Sequence, residues 1–107
     1  MLVSAINNKI MSLEQIKFLK EPSKLEKAVW EALTRIPEGE TRNYSEVAEM
    51  AGYPRAVRAV ASAIGRNPFP IQIPCHRVIR KDGGLGGFAL GLKKKKELLK
   101  AEGIIFS

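Results

Sequence analysis

A mainly helical domain of winged helix-turn-helix form, with a small β-hairpin as its wing, is what the sequence predicts, on three observations. Apolar residues recur at helical spacing in several short segments, two of these segments meet at a glycine-containing turn, and a glycine-rich stretch follows the β-branched pair Val78-Ile79. The 107 residues suit one small domain with a single core, and an apolar fraction of 45% places the chain among globular proteins.

The elements follow in order. Ser12-Leu13-Glu14-Gln15 has the spacing of a capping box and predicts a short helix to about Leu19, after which Glu21-Pro22 breaks the chain. Residues 1–22 are therefore expected as an N-terminal extension and 23–107 as the domain proper. Ser23 and Glu26 repeat the capping-box spacing, and Leu25, Val29, Leu33 and Ile36 form one apolar stripe that Pro37-Glu38-Gly39 ends. A short helix carrying Val47, Ala48 and Ala51 starts after Asn43 or Tyr44 and stops at Gly52. Pro54 suits the first position of the next helix, because its fixed φ is helical and its missing N–H is not needed there.

That helix has two faces. At about 100° per residue, Ala56, Val57, Val60, Ala61 and Ile64 fall on one side, while Arg55, Arg58, Ser62 and Arg66 surround Ala59 on the other. The basic face admits two readings: an ordinary solvated surface, or one whose small residue lets the backbone approach a phosphate or groove wall. Asn67-Pro68-Phe69-Pro70 and Ile71-Gln72-Ile73-Pro74 cannot be helical with three prolines so close, and predict a rigid irregular segment. Val78-Ile79-Arg80, Asp82-Gly83-Gly84 and Leu85-Gly86-Gly87-Phe88 read as the hairpin. A last helix spans about Leu92 to Glu102, with Lys93-Lys94-Lys95-Lys96 as a solvated face.

Eighteen Lys and Arg against eleven Asp and Glu give a formal charge of +7. This favours a polyanionic partner but does not separate DNA, RNA and an acidic membrane surface. No apolar run approaches the roughly 18 residues that span a bilayer, and the opening residues lack the pattern of a secretory signal. A lone cysteine excludes an intramolecular disulfide and a cysteine-rich zinc site. The expectation is a soluble, cytoplasmic, basic protein (nuclear in a eukaryote) without metal or membrane partner.

Cys75 and His76, the sole cysteine and sole histidine, are adjacent. A single cysteine commonly serves as a small buried hydrophobe. The sharper reading makes Cys75 a nucleophile: an ordinary thiol is only slightly ionised at neutral pH, and His76 is the neutral-pH base at hand. Leu98, Leu99 and Glu102 share one face of the last helix, so the carboxylate turns inward and needs a partner. It could pair with a lysine or arginine, or orient an imidazole as the third member of a Cys–His–Glu set.

Ile73-Pro74-Cys75-His76-Arg77-Val78 resembles the active-site motif of the O6-alkylguanine-DNA alkyltransferase family. The likeness runs from about residue 24 to 103, through Gly39-Glu40-Thr41 with Tyr44, Pro54 to Arg58, Gly65-Arg66-Asn67-Pro68, Gly83 to Gly87, and Lys95, Leu98-Leu99 and Glu102. It implies a winged-helix domain that binds double-stranded DNA containing O6-alkylguanine from the minor groove, as a monomer and without a cofactor. It further implies that the lesion is flipped out and its alkyl group passed irreversibly to Cys75, assisted by His76 and Glu102. By position Arg58 resembles the arginine that fills the gap in the stack, with Arg55, Ala59, Ser62 and Arg66 on the same DNA face. Tyr44 matches the tyrosine that donates to the guanine ring, and Asn67 a hinge asparagine. Pro70 and Phe88 match pocket walls, and Trp30 a core or pocket support. The carbonyls of Cys75 and Val78 and the amide of Ala89 match groups that meet the base.

The chain departs from the family in having Phe88 where tyrosine is frequent, which removes a hydroxyl. Full-length members carry an N-terminal domain, in some with zinc, and residues 1–22 hold no ligand set for a metal. Short alkyltransferase-like proteins that bind the lesion without transfer are the nearest alternative, but they replace the nucleophile with a residue such as tryptophan. A winged-helix regulator of another class would leave the Pro-Cys-His setting and inward Glu102 unexplained. On the wedge role, Arg58→Ala should weaken base flipping, read by a fluorescent base beside the lesion, more than it weakens affinity for undamaged duplex; equal losses in both would refute that role.

Overall fold

Four helices and two very short strands make up the described residues, 21–105, of the computed structural model. In chain order they are α1 (Lys24–Thr34), β1 (Arg42–Asn43), α2 (Tyr44–Ala51), α3 (Val57–Gly65), β2 (Val78–Ile79) and α4 (Leu92–Ala101), with a 3-10 turn at Cys75–Arg77 leading into β2. The mainly helical architecture expected from the sequence is present, with α2 and α3 as the helix pair. The short helix expected near Ser12 lies outside the described residues.

Local chemistry starts the helices where the sequence predicts. Ser23 caps α1: its hydroxyl accepts from the Glu26 N–H (3.1 Å), and the Glu26 carboxylate accepts from the Ser23 N–H (2.9 Å). Asn43 and Glu46 do the same for α2, at 2.9 and 2.8 Å. Each reciprocal pair satisfies two N–H groups that a helix start leaves free. Gly52 ends α2 in the left-handed conformation. Pro54, however, does not open α3. It sits in a turn closed by the Ala56 N–H on the Tyr53 carbonyl (3.0 Å), and α3 begins at Val57. The same fixed φ that suits a helix start also suits the second position of a β-turn, and here the turn takes it.

The core forms where α1 lies across α2 and α3. Val29, Leu33 and Ile36 of the expected stripe are buried, joined by Val47 and Ala48 from α2, Val60, Ala63 and Ile64 from α3, and Ile73 and Val78 from the segment that follows. Leu25 packs half-buried at the edge. The Trp30 indole donates to the Ala63 carbonyl at 2.8 Å, fixing α1 to α3 without stranding a buried N–H.

The wing differs from a two-stranded hairpin. β2 pairs with β1 in parallel, Arg42 opposite Val78 and Asn43 opposite Ile79. The chain does turn back after Arg80, whose N–H meets the Gly84 carbonyl at 2.8 Å, but residues 85–91 form no return strand. The reason is Lys95, whose ammonium takes the carbonyls of Leu85 and Gly87. Lys95 itself is fully buried, so the four-lysine run is not uniformly a solvated face. No helix of the described residues is long and apolar enough to cross a membrane.

Asn43→Ala should cost about 1 kcal/mol in urea unfolding, while Asn43→Asp, which keeps the cap oxygen, should stay near the parent value. An alanine variant as stable as the parent would show that α2 does not depend on this cap.

Candidate active site

Cys75 is placed by the proline-rich segment. Asn67, buried at the end of α3, donates from its amide to the Ile73 carbonyl (2.8 Å) and accepts from the Phe69 N–H (2.9 Å). The Ile73 N–H returns to the Phe69 carbonyl at 2.9 Å, closing a turn in which Ile71 has φ 86°. A β-branched residue rarely adopts that conformation, which costs on the order of 1–3 kcal/mol, so the Asn67 brace and the flanking prolines hold it. The Cys75 N–H then bonds the Ile73 carbonyl at 2.7 Å and starts the 3-10 turn.

The thiol, 6% exposed, opens into a pocket of about 230 Å³. Tyr44, Asn67, Phe88 and Ala89 line it, as do Ala61, Ile64 and Gly65 of α3. Four of the residues singled out in the sequence thus meet at Cys75, while Pro70 and Val78 are not on the wall. The Val78 carbonyl instead accepts from Lys95 at 2.6 Å. The α3 contribution was not foreseen, although Ala61 and Gly65, small residues four apart on one face, were the available signal. The Tyr44 hydroxyl lies so close to Gly86 that a Cβ there would sit 2.9 Å from it, and Gly86 also has φ 73°. The position therefore excludes larger residues on two counts.

The next residue, His76, belongs to a second cluster, which lines a separate small cavity with Glu38 and Ile71. His76 Nε2 is 2.9 Å from Glu102 Oε2. Arg77 grips the same carboxylate with two parallel bonds, Nε to Oε1 at 2.9 Å and Nη2 to Oε2 at 2.8 Å, and its Nη1 donates to the Ile36 carbonyl at 2.7 Å. The Gly39 N–H adds a longer contact to Oε1, 3.3 Å. Both partners considered for Glu102 are therefore real, and Arg77, buried in the irregular turn, is the one the sequence analysis left without a role. His76 Nδ1 is buried and unpartnered among the described residues.

Burial dominates the charges. It raises the Cys75 pKa, against smaller opposing effects of the Asn67 amide and the Lys95 charge. It lowers that of His76, only partly offset by Glu102. Burial also works to raise Glu102, but the bonds from Arg77, His76 and Gly39 outweigh it and hold the carboxyl below its ordinary value. The resting state is a neutral thiol, a neutral imidazole donating from Nε2, and an ionised carboxylate. Burial brings Lys95 down to about 8, which leaves its ammonium form dominant at neutral pH, with three carbonyls around it.

Arg55, Arg58, Ala59 and Ser62 are all exposed around α3. Arg66 is exposed too, but its Nε holds the Glu26 carboxylate at 2.7 Å, so it also secures the start of α1. Among the described residues no group of three or more His, Cys, Asp and Glu could hold a metal ion.

Fold and site together define a helix-turn-helix domain with a buried cysteine opening into a pocket and, from the next residue on, a histidine–glutamate–arginine cluster. Residues 24–104 match the family model described as 6-O-methylguanine DNA methyltransferase, DNA binding domain, and the chain belongs to that family. A methylated-DNA–protein-cysteine methyltransferase of Methanosarcina barkeri is 54% identical over 81% of this chain and 55% of its own. The crystal structure of Mycobacterium tuberculosis OGT in complex with DNA superposes with a TM-score of 0.73 at 46% identity, over 77% of this chain and 51% of that one. Atl1 of S. pombe, in complex with damaged DNA containing O6-carboxymethylguanine, gives a TM-score of 0.67 at 28% identity, over 79% of this chain and 81% of that one. The chain spans about half the length of the curated methyltransferases it matches.

The shifts set a pH dependence of stability. The unfolded chain binds a proton at His76 near pH 6.5 that the native imidazole resists, so stability falls as the pH drops below that value. Glu102 adds to the loss further into acid, as the pH falls through its lowered native value. Urea midpoints should therefore decline from about pH 7.5 to about pH 5.5, and His76→Gln should flatten the slope. A parent midpoint constant across that interval would mean that His76 titrates as it does in the unfolded chain.

Proposed function

We propose that this chain repairs O6-alkylguanine in double-stranded DNA by irreversible, stoichiometric transfer of the alkyl group to Cys75. One observation carries the reading: the thiol opens into a pocket lined by residues of both helices of the pair, and the adjacent residue, His76, is hydrogen-bonded to Glu102. The sequence identity with methyltransferases and the fold shared with a DNA-bound relative support it.

In this mechanism α3 meets the minor groove with Arg55, Arg58, Ala59 and Ser62. The damaged nucleotide leaves the stack at a cost of a few kcal/mol, and the planar guanidinium of Arg58 fills the gap. The base enters between Tyr44 and the Phe88-Ala89 wall. The thiol proton passes to His76 Nδ1, directly or through one water, leaving its electron pair on sulfur. The thiolate attacks the alkyl carbon, the S–C bond forms, and the C–O6 bond breaks with its electrons going to the guanine. Tyr44 donates a proton, or hydrogen bond, to the ring and makes guanine a better leaving group. Solvent then returns a proton to Tyr44 and takes the extra one from the His76 imidazolium. The thioether has no group here able to cleave it, so one molecule repairs one lesion.

The test is intact-protein and peptide mass spectrometry after mixing with excess O6-methylguanine oligonucleotide. One added methylene mass per chain, located on Cys75, is expected. Cys75→Ala should transfer nothing yet still bind the lesion. Selective lesion binding by the parent without any adduct would instead make the chain a recognition module of the kind the Atl1 likeness suggests.

A further inference from the structure

The proposed transfer puts the thiol proton on His76, and the buried cluster contains a further residue, not hydrogen-bonded to the imidazole itself, that bears on how it is held there. An ionised carboxylate offers about four lone-pair sites. Glu102 meets four donors: His76 Nε2 and Arg77 Nη2 on one oxygen, Arg77 Nε and the Gly39 N–H on the other. Arg77 supplies two of them in a planar fork, the geometry in which a guanidinium binds a carboxylate most strongly. Its remaining bond, to the Ile36 carbonyl, fixes the fork to the end of α1.

We infer, on the reading of function above, that Arg77 is a positioning residue: it holds Glu102 as a fixed anion with every lone pair engaged, so that the proton leaving Cys75 stops on His76. In the transfer the Sγ–H bond breaks, an Nδ1–H bond forms, and the Nε2 proton stays where it is. Glu102 orients the imidazole and stabilises its cation without receiving the proton. Because the Arg77 cation is already paired with the carboxylate, the imidazolium is less stabilised than it would be beside an unpaired anion. It therefore returns its proton to solvent readily.

Other charged groups face the cluster. Glu38, in the turn after α1, lines a small cavity with His76 and Glu102, and Lys95 of α4 acts on both His76 and Cys75. Neither makes a hydrogen bond to the Glu102 carboxylate as Arg77 does, so the effect of removing the fork can be told apart from theirs.

The test has two arms. The first is ¹⁵N NMR of the free protein, which does not depend on transfer. Parent and Arg77→Lys should show His76 protonated at Nε2 and bare at Nδ1 at neutral pH. In Arg77→Gln, where the carboxylate is left unpaired, His76 should take up its second proton at higher pH than in the parent, and the double variant Arg77→Gln/Glu102→Gln, which leaves no charge unpaired, should lack that rise. The second arm is the single-turnover transfer rate against pH. In Arg77→Gln the acid limb should move up by about one pH unit, because His76 beside an unpaired carboxylate keeps its second proton to higher pH, with unchanged affinity for lesion DNA, and Arg77→Lys should restore most of the profile. A His76 titration unmoved in Arg77→Gln, or a rate lowered equally at every pH, would reduce Arg77 to a structural tie and overturn the inference. If the parent transfers nothing, the function reading fails while the NMR arm still judges Arg77.

Discussion

Three distant parts of the chain are held at one point by Arg77. Its guanidinium joins the end of α1, through the Ile36 carbonyl, to Glu102 at the end of α4, and its backbone belongs to the turn that carries Cys75. Removing one member of a buried ion pair typically costs about 3–5 kcal/mol because the other is left uncompensated. The reactive turn has little regular structure of its own, so this tie substitutes for a ladder. The parallel register of Arg42 with Val78 adds only two residues of pairing on the other side.

Lys95 complements it. One ammonium gathers the carbonyls of Val78, Leu85 and Gly87, joining the strand after the cysteine to the loop that presents Phe88 and Ala89. The wall of the pocket and its nucleophile are thereby referred to the same helix. The price is desolvating a cation, which the three acceptors offset.

What was legible in the sequence was local. Ser23 with Glu26 announced the start of α1 because a capping box is decided within four residues, whereas the same device at Asn43 and Glu46 went unread and that start was placed only at Asn43 or Tyr44. Tyr44, Asn67, Phe88 and Ala89 were placed at Cys75 by resemblance, and their convergence on one pocket depends on contacts that spacing alone does not reveal. The parallel pairing of β1 and β2 brings together segments thirty-six residues apart, which no local pattern specifies. Lys95 was hidden by its three exposed neighbours, although it precedes Leu98, Leu99 and Glu102 at helical spacing and shares their inward face. Arg77 gave no such sign, since a 3-10 turn has no periodicity to read. Pro54 was misplaced because two local structures compete for the same φ.

The burial of Cys75 has a consequence for the lifetime of the molecule. A reagent that acts once is lost to any stray electrophile or oxidant that reaches it first. Thiolates are what such species attack, and a thiol kept protonated by its surroundings, 6% exposed, offers them little. On the proposed chemistry, the same desolvation that makes Cys75 a poor nucleophile at rest preserves its single use. Reactivity is then released by what enters the pocket, and an idle molecule remains a competent one.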